Sequence, residues 1–392
     1  MNEAVAPYTL DVTRWEDPYP YLAALRSTDP VHYSTAADIW VLTRFDDVKA
    51  AFGDWKTWSS ERRGNLLNDM PERLGRTLGT TDPPRHSSAR RLVNMAFTNR
   101  TVATLEPAIK ELSAELHDTA CGKGTFEYVH EISAPLNARV LGSMFGVPDA
   151  DFMSLRHWLD DFFVRDEPEP GKEPRQAVAM AHLRAYIFEL VEARRAEPGP
   201  DLISAMLAAK EGAEGLSTEQ VAFTTMTFLT AGFESTNNLF TNMTLALSQH
   251  PWLLPRLKSD PAAREAFVEE AMRYDAAAQG FVRCPTTDVE LGGRTIPEGA
   301  QVLLHIGAAN RDPDAFPNPD TFDIDRSSNR HLGLGHGQHF CVGAPLGRVL
   351  TQVALADLVE RTTELSVDLA ESIRVLTPNF RGFQRLSVSV AS

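Results

Sequence analysis

The amino-acid sequence predicts a mainly α-helical protein with a minor β region. The pattern of apolar residues is helical from Arg91 to about Val191, and a second long helical pattern runs through residues 217–250. The β-like segments are short and few. Because neither an internal repeat nor a linker rich in Gly, Ser or Pro divides the chain, we expect one domain spanning residues 1–392.

Composition excludes several classes of protein. Of 392 residues 43% are apolar, which is enough for a sizeable core, and 53 acidic against 38 basic residues give a net charge of −15. A chain this acidic is a poor partner for nucleic acid. The start "MNEAVAPYTLDVTRWEDPYP" lacks a basic stretch followed by an apolar run, and no later segment has ~18 uninterrupted apolar residues. We therefore expect neither a signal peptide nor a membrane anchor.

The cysteines indicate the redox compartment. Cys121, Cys284 and Cys341 are an odd number, and they are scattered at no spacing typical of a disulfide framework. This usage suits a reducing environment, so the sequence predicts a cytoplasmic protein.

The first half of the chain begins with a predicted strand pair and continues as helices. "VHYS" and "IWVLTR" are rich in β-branched and aromatic residues, which favours strands. The helical pattern that follows is interrupted by "RDEPEPGKEP" at 165–174. This segment is charged and rich in proline, so we expect a surface loop.

A long helix is predicted next. Ser217 and Gln220 form a capping box, in which each side chain accepts a hydrogen bond from the other residue's backbone N–H. The helical pattern continues to His250, and Glu234 is the only charged residue between 221 and 249. The helix is therefore expected to be buried over most of its length.

The last third contains the remaining β structure. "DVELGGRTIPEG" predicts a hairpin with its turn at Gly292–Gly293. "VGAPLGRVLTQVALADLVERT", after Cys341, predicts a helix in which Pro345 is tolerated in the first turn. The strand-like "RLSVSV" closes the chain.

Cys341 lies in the glycine-rich stretch "HLGLGHGQHFCVGAPLGR", residues 331–348, and three interpretations compete for it. Free cysteines are most often buried structural residues, but this loop offers little apolar surface. His331, His336 and His339 could join Cys341 at zinc, although structural zinc sites usually draw their ligands from two separated pairs. The third interpretation is a thiolate ligand to haem iron.

The thiolate interpretation accounts for every part of the motif. A thiolate needs positive potential and donated hydrogen bonds, which a helix N-terminus and free backbone amides supply. Gly335, Gly337 and Gly343 let the backbone turn tightly and approach a flat macrocycle.

The stretch "GLGHGQHFCVG" resembles the cysteine loop of the cytochrome P-450 superfamily, commonly written F-G-x-G-x-H-x-C-x-G. Residues 81–100, 231–236, 269–274 and 307–326 are similar, in the expected order, to motifs of its bacterial, soluble members. The resemblance implies the triangular, mainly α haem-thiolate fold. It also implies haem b as the cofactor, with Cys341 as the ligand of its iron.

The resemblance further implies which residues bind the haem. Its propionates would contact His86, Arg90, Arg283 and His339. His86 and Arg90 lie four residues apart on one helix face, and in an isolated pair they would indicate only an exposed polar surface. The other implied cofactor contacts are Ala231, Leu334, Gly335 and Gly343.

Glu270 and Arg273 form an E-x-x-R motif at the spacing at which helical side chains meet. Most such pairs are solvated surface ion pairs that contribute little. In the family the pair is buried together with a later arginine, here Arg326, and supports the cysteine loop. The resemblance thus implies a structural role for all three residues.

Glu234 and Ser235 are the candidate catalytic residues. A lone carboxylate in an uncharged helix is costly unless something compensates for its desolvation. "AGFES" is similar to the family's A-G-x-[DE]-T, where a widened helix forms an oxygen groove and the acid–alcohol pair delivers protons. An ion pair between Glu234 and a basic residue elsewhere is the alternative.

Two residues depart from the family pattern. Leu334 replaces the usual Phe beside the thiolate, and Ser235 replaces the usual Thr, which loses the methyl group that restricts the rotamer. Thr236 is no simple substitute, because it lies about 100° further round the helix. These departures bear on the haem potential and on coupling efficiency.

The implied activity is that of a monooxygenase. It inserts one oxygen atom into a lipophilic small organic substrate, by hydroxylation or epoxidation, and releases the other as water. Electrons would come from NAD(P)H through a separate reductase and a ferredoxin or flavodoxin that docks on the cysteine side. We expect a monomer that serves bacterial specialised metabolism.

Two alternatives to this activity have different requirements. A peroxide-driven haem-thiolate enzyme would usually lack the pair formed by Glu234 and Ser235. A non-enzymatic haem-binding sensor would need neither Glu234 nor a substrate pocket.

Candidate pocket walls come from several parts of the sequence, and most of them are apolar. They include the segment after Trp58 and the pair Phe162 and Phe163. The residues expected to contact substrate are Thr230, Phe233, Ala278, Val282 and Phe380, from the stretches 230–233, 277–282 and 380–383.

Overall fold

The protein is described here by a computed structural model that covers residues 8–9, 16–67, 73–163, 173–211 and 214–391. Helices make up most of it. The helices are α1 (Tyr19–Thr28), α2 (Phe45–Gly53), α3 (Arg85–Ala96), α4 (Asn99–Cys121), α5 (Ala134–Met144), α6 (Phe152–Phe163), α7 (Arg175–Ala196), α8 (Leu202–Ala208), α9 (Thr218–Gln249), α10 (Leu254–Ser259), α11 (Pro261–Tyr274), α12 (Ile306–Ala309) and α13 (Ala344–Glu360).

The strands form small sheets beside the helices. They are β1 (Val31–Ser34), β2 (Ile39–Leu42), β3 (Trp58–Ser59), β4 (Thr125–Glu127), β5 (Lys210–Glu211), β6 (Glu214–Gly215), β7 (Gly280–Pro285), β8 (Val289–Leu291), β9 (Arg294–Ile296), β10 (Val302–His305), β11 (Glu364–Leu376) and β12 (Arg381–Ala391). One sheet has the order β1-β2-β10-β7-β3 and another β11-β12-β4, while β5–β6 and β8–β9 are separate hairpins. The predicted mainly α fold with a minor β region is confirmed.

Elements with local sequence signals are confirmed. The predicted first strand pair is β1 and β2, which are antiparallel. The capping box at the start of α9 is formed, because the Gln220 N–H donates to Ser217 Oγ at 3.1 Å and the Ser217 N–H donates to Gln220 Oε1 at 2.8 Å. Gly292 and Gly293 adopt the positive φ values, 58° and 76°, that the turn between β8 and β9 requires.

The predicted helical stretch from Arg91 differs in detail. The first helix of this region starts earlier, at Arg85, and strand β4 interrupts the helices together with a π-helical turn at Val129–Ser133. Strand β4 has three residues and pairs with β12 at the far end of the chain, so it has no local signal. The predicted loop at 165–174 lies outside the described residues except for 173 and 174.

Helix α9 passes through the main core. Its buried side chains belong to one apolar cluster with residues of α5, α7, α11 and α13. Buried amides also bind it to its neighbours, since Asn242 Nδ2 donates to the carbonyls of Asp275 and Arg381 at 2.8 and 2.9 Å. Although α9 has 32 residues, no helix in the described ranges is apolar enough over sufficient length to cross a membrane.

A buried ion pair on α11 supports the region that follows it. Arg273 Nε and Nη2 donate to the two carboxylate oxygens of Glu270 at 2.8 and 2.7 Å, and both side chains are inaccessible to solvent. Arg326 Nε donates to the same carboxylate at 3.0 Å. The remaining donors of both arginines bind carbonyl groups of residues 310–321. The three residues therefore form one buried network.

The same helix anchors both ends of the cysteine segment. Arg273 binds the carbonyl of Asn310, whose Oδ1 in turn accepts the N–H of Leu332 at 2.8 Å. Beside this pair, Glu269 accepts two hydrogen bonds from Arg348, at 2.6 and 2.9 Å, and one from His331. Residues before and after Cys341 are thus held by α11.

We predict that Arg273→Met lowers the free energy of unfolding by about 3–5 kcal/mol, because it leaves the Glu270 carboxylate buried without its main partner. Urea unfolding measures this. Arg256→Met is the matched control: Arg256 makes an equally well-formed pair with Asp325, but on the surface, so its loss should change stability little. Equal losses for the two variants would contradict the analysis.

Candidate active site

A cavity of about 1020 Å³ lies between α9 and the segment that carries Cys341. Its other walls come from α5, α7, β7 and the turn before β12. Aromatic side chains such as Phe97, Phe162, Phe188 and Phe281 contribute much of the lining. The cavity is therefore largely apolar, with a few polar groups at defined places.

The glycine-rich loop presents Cys341 to this cavity. The Cys341 N–H donates to the carbonyl of Leu334 at 2.9 Å, which closes the loop. Gly335 and Gly337 have φ values of 73° and 70°, which other residues rarely adopt. A Cβ atom on Gly337 would lie 2.6 Å from the carbonyl oxygen of Phe52, so this loop packs against α2 only with glycine there.

Opposing effects act on the Cys341 thiol. Burial among protein atoms raises its pKa above the ordinary value, although its exposed surface faces the cavity. The backbone N–H groups of Gly343 and Ala344 and the positive charges of Arg90 and Arg348 all lower the pKa. These groups stabilise the thiolate form, and a bound metal ion would complete its deprotonation.

The other two interpretations of Cys341 are not supported. His331 contacts Glu269 and His339 contacts Ser60, so the histidines of the loop have separate partners. In the described part of the chain no three His, Cys, Asp or Glu side chains are grouped so that they could hold a metal ion. Cys341 is also exposed to the cavity, whereas Cys121 and Cys284 are buried and match the structural type.

Two arginines lie at the edge of the cavity without carboxylate partners among the described residues. Arg283 is buried, its Nη1 donates to the carbonyl of Val282 at 2.7 Å, and burial lowers its pKa to about 10. Arg90 donates to the carbonyl of Phe340 at 2.8 Å and to Asn94, and burial lowers its pKa as well. Buried guanidinium groups are normally paired, so an anion is expected here.

Two histidines stand beside these arginines. The rings of His86 and His339 are 4.2 Å apart between centroids, and His339 Nε2 contacts Ser60 Oγ at 3.1 Å. Burial and the nearby arginine charges lower the pKa of His339 to about 2 and that of His86 to about 4. Both ring nitrogens of His86 are buried and have no hydrogen-bond partner among the described residues.

This arrangement fits the haem that the resemblance implies. Buried Arg283, half-buried Arg90 and a histidine whose ring nitrogens have no partner among the described residues surround a place that no protein carboxylate lines, and the two propionates of haem would supply the missing acceptors. Cys341 offers the sulfur ligand within the same cavity. The residues present are therefore suited to hold this group.

Helix α9 contributes Ser235 to the opposite wall. Ser235 Oγ donates to the carbonyl of Ala231 at 2.6 Å, and both residues line the cavity. Glu234 does not line it: its Oε1 accepts a hydrogen bond from Asn238 Nδ2 at 3.0 Å. The helix is α-helical without interruption from Thr218 to Gln249, so the widening implied by the resemblance is not seen.

Most of the residues expected at the site lie together. The cavity is lined by Arg90, Thr230, Ala231, Ser235, Ala278, Arg283, Leu334, Gly335, His339, Cys341, Gly343 and Phe380, together with Phe162. His86 lies behind His339, and the side chain of Phe163 is outside the described residues.

Two expected substrate contacts, Val282 and Phe233, do not line the cavity. Neighbouring residues of a strand point to opposite faces, so in β7 Phe281 and Arg283 reach the cavity while Val282 packs into the core behind the sheet. Phe233 is on the face of α9 that packs into the main core.

Sequence reasoning missed the α7 wall and the contribution of α5. Ala177, Ala181 and Ala185 follow at intervals of four residues and bring one face of α7 to the cavity. This spacing was visible in the sequence, but alanine at helical spacing also suits an ordinary surface. The cavity residues of α5, among them Asn137 and Leu141, had no signal that set them apart from core.

Comparison with known proteins agrees with this geometry. A family model described as Cytochrome P450 matches residues 264–371. The chain is 33% identical over 382 residues to the cytochrome P450 monooxygenase PikC of Streptomyces venezuelae, covering 95% of this chain and 91% of that protein. It is 36% identical over 387 residues to the vitamin D(3) 25-hydroxylase of Pseudonocardia autotrophica, covering 96% and 95%.

The similarity extends to the three-dimensional structure. The chain superimposes on the structure of cytochrome P450 CYP109Q5 from Chondromyces apiculatus with a TM-score of 0.89 and 34% sequence identity. The match covers 98% of this chain and 99% of that one.

We predict a pH dependence of stability from His86 in the haem-free protein. Its pKa is about 4 when folded and about 6.5 when unfolded, so the folded state binds fewer protons between these values. The free energy of unfolding should therefore fall as the pH is lowered from about 6.5 to 4, with His86 contributing up to ~3 kcal/mol of the loss. Urea unfolding against pH should give a flatter profile for His86→Gln.

The control for this profile is His157→Gln, because His157 is largely exposed on α6. This variant should follow the parent. A His86→Gln profile as steep as that of the parent would contradict the assignment.

Proposed function

The chain belongs to the cytochrome P450 family and is a haem-thiolate monooxygenase, and we propose that Cys341 is the ligand of its haem iron. The observation that carries this assignment is the thiol of Cys341 at the mouth of a glycine loop, facing a cavity bordered by Arg283 and His339, with His86 behind His339. When bound, the haem supplies the iron at which dioxygen is activated. We further propose that residues 1–392 form one catalytic domain.

The propionates of the haem would be held by Arg90, Arg283, His86 and His339. The arginines supply charge and fixed donors, and His86 supplies ring nitrogens that have no other partner in the described ranges. The loop residues Leu334, Gly335 and Gly343 would lie against the macrocycle, with Ala231 on the opposite wall.

Ser235 and Glu234 are proposed to deliver protons. The Ser235 hydroxyl faces the cavity and can both donate and accept a hydrogen bond. Glu234 lies outside the cavity and is bonded to Asn238, so it would exchange protons with solvent and swing toward Ser235. This acid–alcohol pair favours a monooxygenase over a peroxide-driven enzyme or a haem sensor.

Electrons are proposed to arrive from NAD(P)H through a reductase and a ferredoxin or flavodoxin. Arg90 joins α3 to the cysteine loop by its bond to the Phe340 carbonyl. Met95 and Phe340, one on each of these segments, are exposed apolar side chains, 57% and 40% accessible. Such a surface next to the thiolate suits a transient partner.

We propose that the enzyme works as a monomer in the cytoplasm.

The substrate is proposed to be a lipophilic small molecule. The cavity wall is mostly apolar, with Phe162 and Phe380 among its aromatic residues and Ala278 and Thr230 as smaller ones. The similar vitamin D(3) 25-hydroxylase has a lipophilic substrate by its name. Similar proteins occur in Streptomyces and Pseudonocardia. We therefore propose that the reaction belongs to bacterial specialised metabolism.

A spectral-shift titration tests the substrate class. Lipophilic compounds that displace the water on the ferric iron should move the Soret band of the purified protein, since apolar burial favours their binding. Polar analogues of similar size, in which a hydroxyl or carboxylate replaces a methyl group, serve as controls. Stronger shifts with the polar analogues would contradict the proposal.

We predict that Cys341→Ala abolishes the thiolate-specific absorption of the reduced carbon monoxide complex. The replacement removes the sulfur ligand, so the band should move to the position of a haem without thiolate. Cys121→Ala, which removes a buried thiol at the end of α4, should leave the band unchanged. Retention of the band by Cys341→Ala would overturn the ligand assignment.

We predict that Ser235→Ala releases more hydrogen peroxide per NAD(P)H consumed, because oxygen is then reduced without prompt proton delivery. General acid groups typically contribute ~10²–10⁴-fold to a rate, so the rate of product formation should fall by at most this factor. Ser235→Thr should couple at least as tightly as the parent. Thr236→Ala is the control, since Thr236 lines the cavity one residue further round α9. Equal peroxide yields for both alanine variants would contradict the relay.

A further inference from the structure

A buried asparagine on α5 is bonded to the turn of α9 that precedes Ser235. Asn137 is inaccessible to solvent, and its Nδ2 donates to the carbonyl of Phe233 at 2.9 Å and to that of Gly232 at 3.2 Å. A longer contact, 3.4 Å, joins the same nitrogen to Asn237 Oδ1. One amide group therefore contacts Gly232 and Phe233 in this turn and Asn237 in the next.

These bonds are additional to the helix's own hydrogen bonds. A backbone carbonyl has two lone pairs, so the carbonyls of Gly232 and Phe233 can accept from α9 and from Asn137 at once. Gly232 also allows α5 to approach closely, because a Cβ atom there would lie 3.3 Å from Leu141. The position of this turn is thus set from outside the helix.

The other half of the amide is unsatisfied. Asn137 Oδ1 is buried and has no hydrogen-bond partner among the described residues, and its orientation is fixed because Nδ2 must face the two carbonyls. A buried acceptor without a donor opposes folding. An apolar side chain of the same size would avoid this penalty, so packing alone is a poor reason for asparagine at this place.

We propose that Asn137 is a positioning residue for Ser235. It holds the carbonyls of Gly232 and Phe233, and thereby the turn that carries the Ser235 hydroxyl, in the geometry for proton delivery. Ser235 needs such support because it lacks the β-methyl group that would restrict its own rotamer. The inference rests on the proposed role of Ser235 in the relay.

Asn137→Leu tests the proposal in the haem-loaded enzyme, because leucine has the same branched outline as asparagine and no donor. The variant should release several-fold more hydrogen peroxide per NAD(P)H than the parent. Its melting temperature should be unchanged or higher, because the unpaired Oδ1 is gone. Amide hydrogen exchange in the α9 segment 232–237 should be faster, which is a readout independent of turnover.

A double variant separates positioning from general damage. If Asn137 acts through Ser235, adding Asn137→Leu to Ser235→Ala should not raise the peroxide yield further. Leu136→Ala is the matched control on α5: Leu136 is fully buried, and its loss should lower the melting temperature and leave the peroxide yield unchanged. Should the leucine variant fail to fold, Asn137→Ala removes both the donor and the unpaired acceptor without adding bulk.

The outcomes distinguish the proton relay through Ser235 from the positioning role of Asn137. If Ser235→Ala alone keeps the parent's coupling, the proposed relay fails. If Ser235→Ala uncouples but Asn137→Leu, or Asn137→Ala where leucine prevents folding, leaves both the peroxide yield and the exchange of α9 unchanged, the positioning role is wrong. Additive peroxide yields in the double variant overturn it as well.

Discussion

The carboxylate of Glu270 is the interaction on which the cysteine side of the molecule depends. It accepts hydrogen bonds from Arg273 of the same helix and from Arg326, Asn329 and the backbone N–H of Asp323 in one later segment, residues 323–329. A charge buried this deeply is tolerated only with all its donors in place. The network therefore contributes more to the specific path of residues 310–332 than to net stability, and that path leads directly into the loop that presents Cys341.

A second constraint is electrostatic. The chain as a whole carries a net charge of −15, yet buried Arg283 and half-buried Arg90 lie at one edge of the cavity and form no ion pair with a carboxylate of the described residues. His86 and His339 next to them have pKa values of about 4 and about 2, so near neutral pH they are uncharged and add donors without charge. The protein thus presents two positive charges that match the two carboxylates of a haem, and Arg90 also lowers the pKa of the Cys341 thiol.

The features that the sequence predicts correctly are those specified by residues close together in the chain. The capping box of α9, the turn at Gly292–Gly293 and the glycine loop before Cys341 are specified by residues close in the chain, and the structure contains all three. Strand β4, by contrast, is formed by pairing with β12, which is distant in the sequence. Likewise, the sequence does not show which face of the sheet Val282 points to, and the prediction that it lines the pocket is wrong for this reason. Asn137 gave no signal, since a buried amide is recognised only by what it touches in three dimensions.

The placement of Glu234 and Ser235 shows how fixed and mobile parts share the proposed relay. Glu234 lies about 100° round α9 from Ser235, on the side of the helix that does not line the cavity. Ser235 faces it, while Glu234 is bonded to Asn238, against which Gly382 of β12 packs so closely that a Cβ atom there would lie 2.3 Å from Asn238 Oδ1. Because β12 fixes Asn238, transfer of a proton requires the Glu234 carboxylate to leave this partner and move round α9. The Ser235 hydroxyl, which receives the proton, must meanwhile stay in place. The hydrogen bonds from Asn137 to this turn therefore matter more for serine than they would for threonine, whose β-methyl group restricts its rotamer.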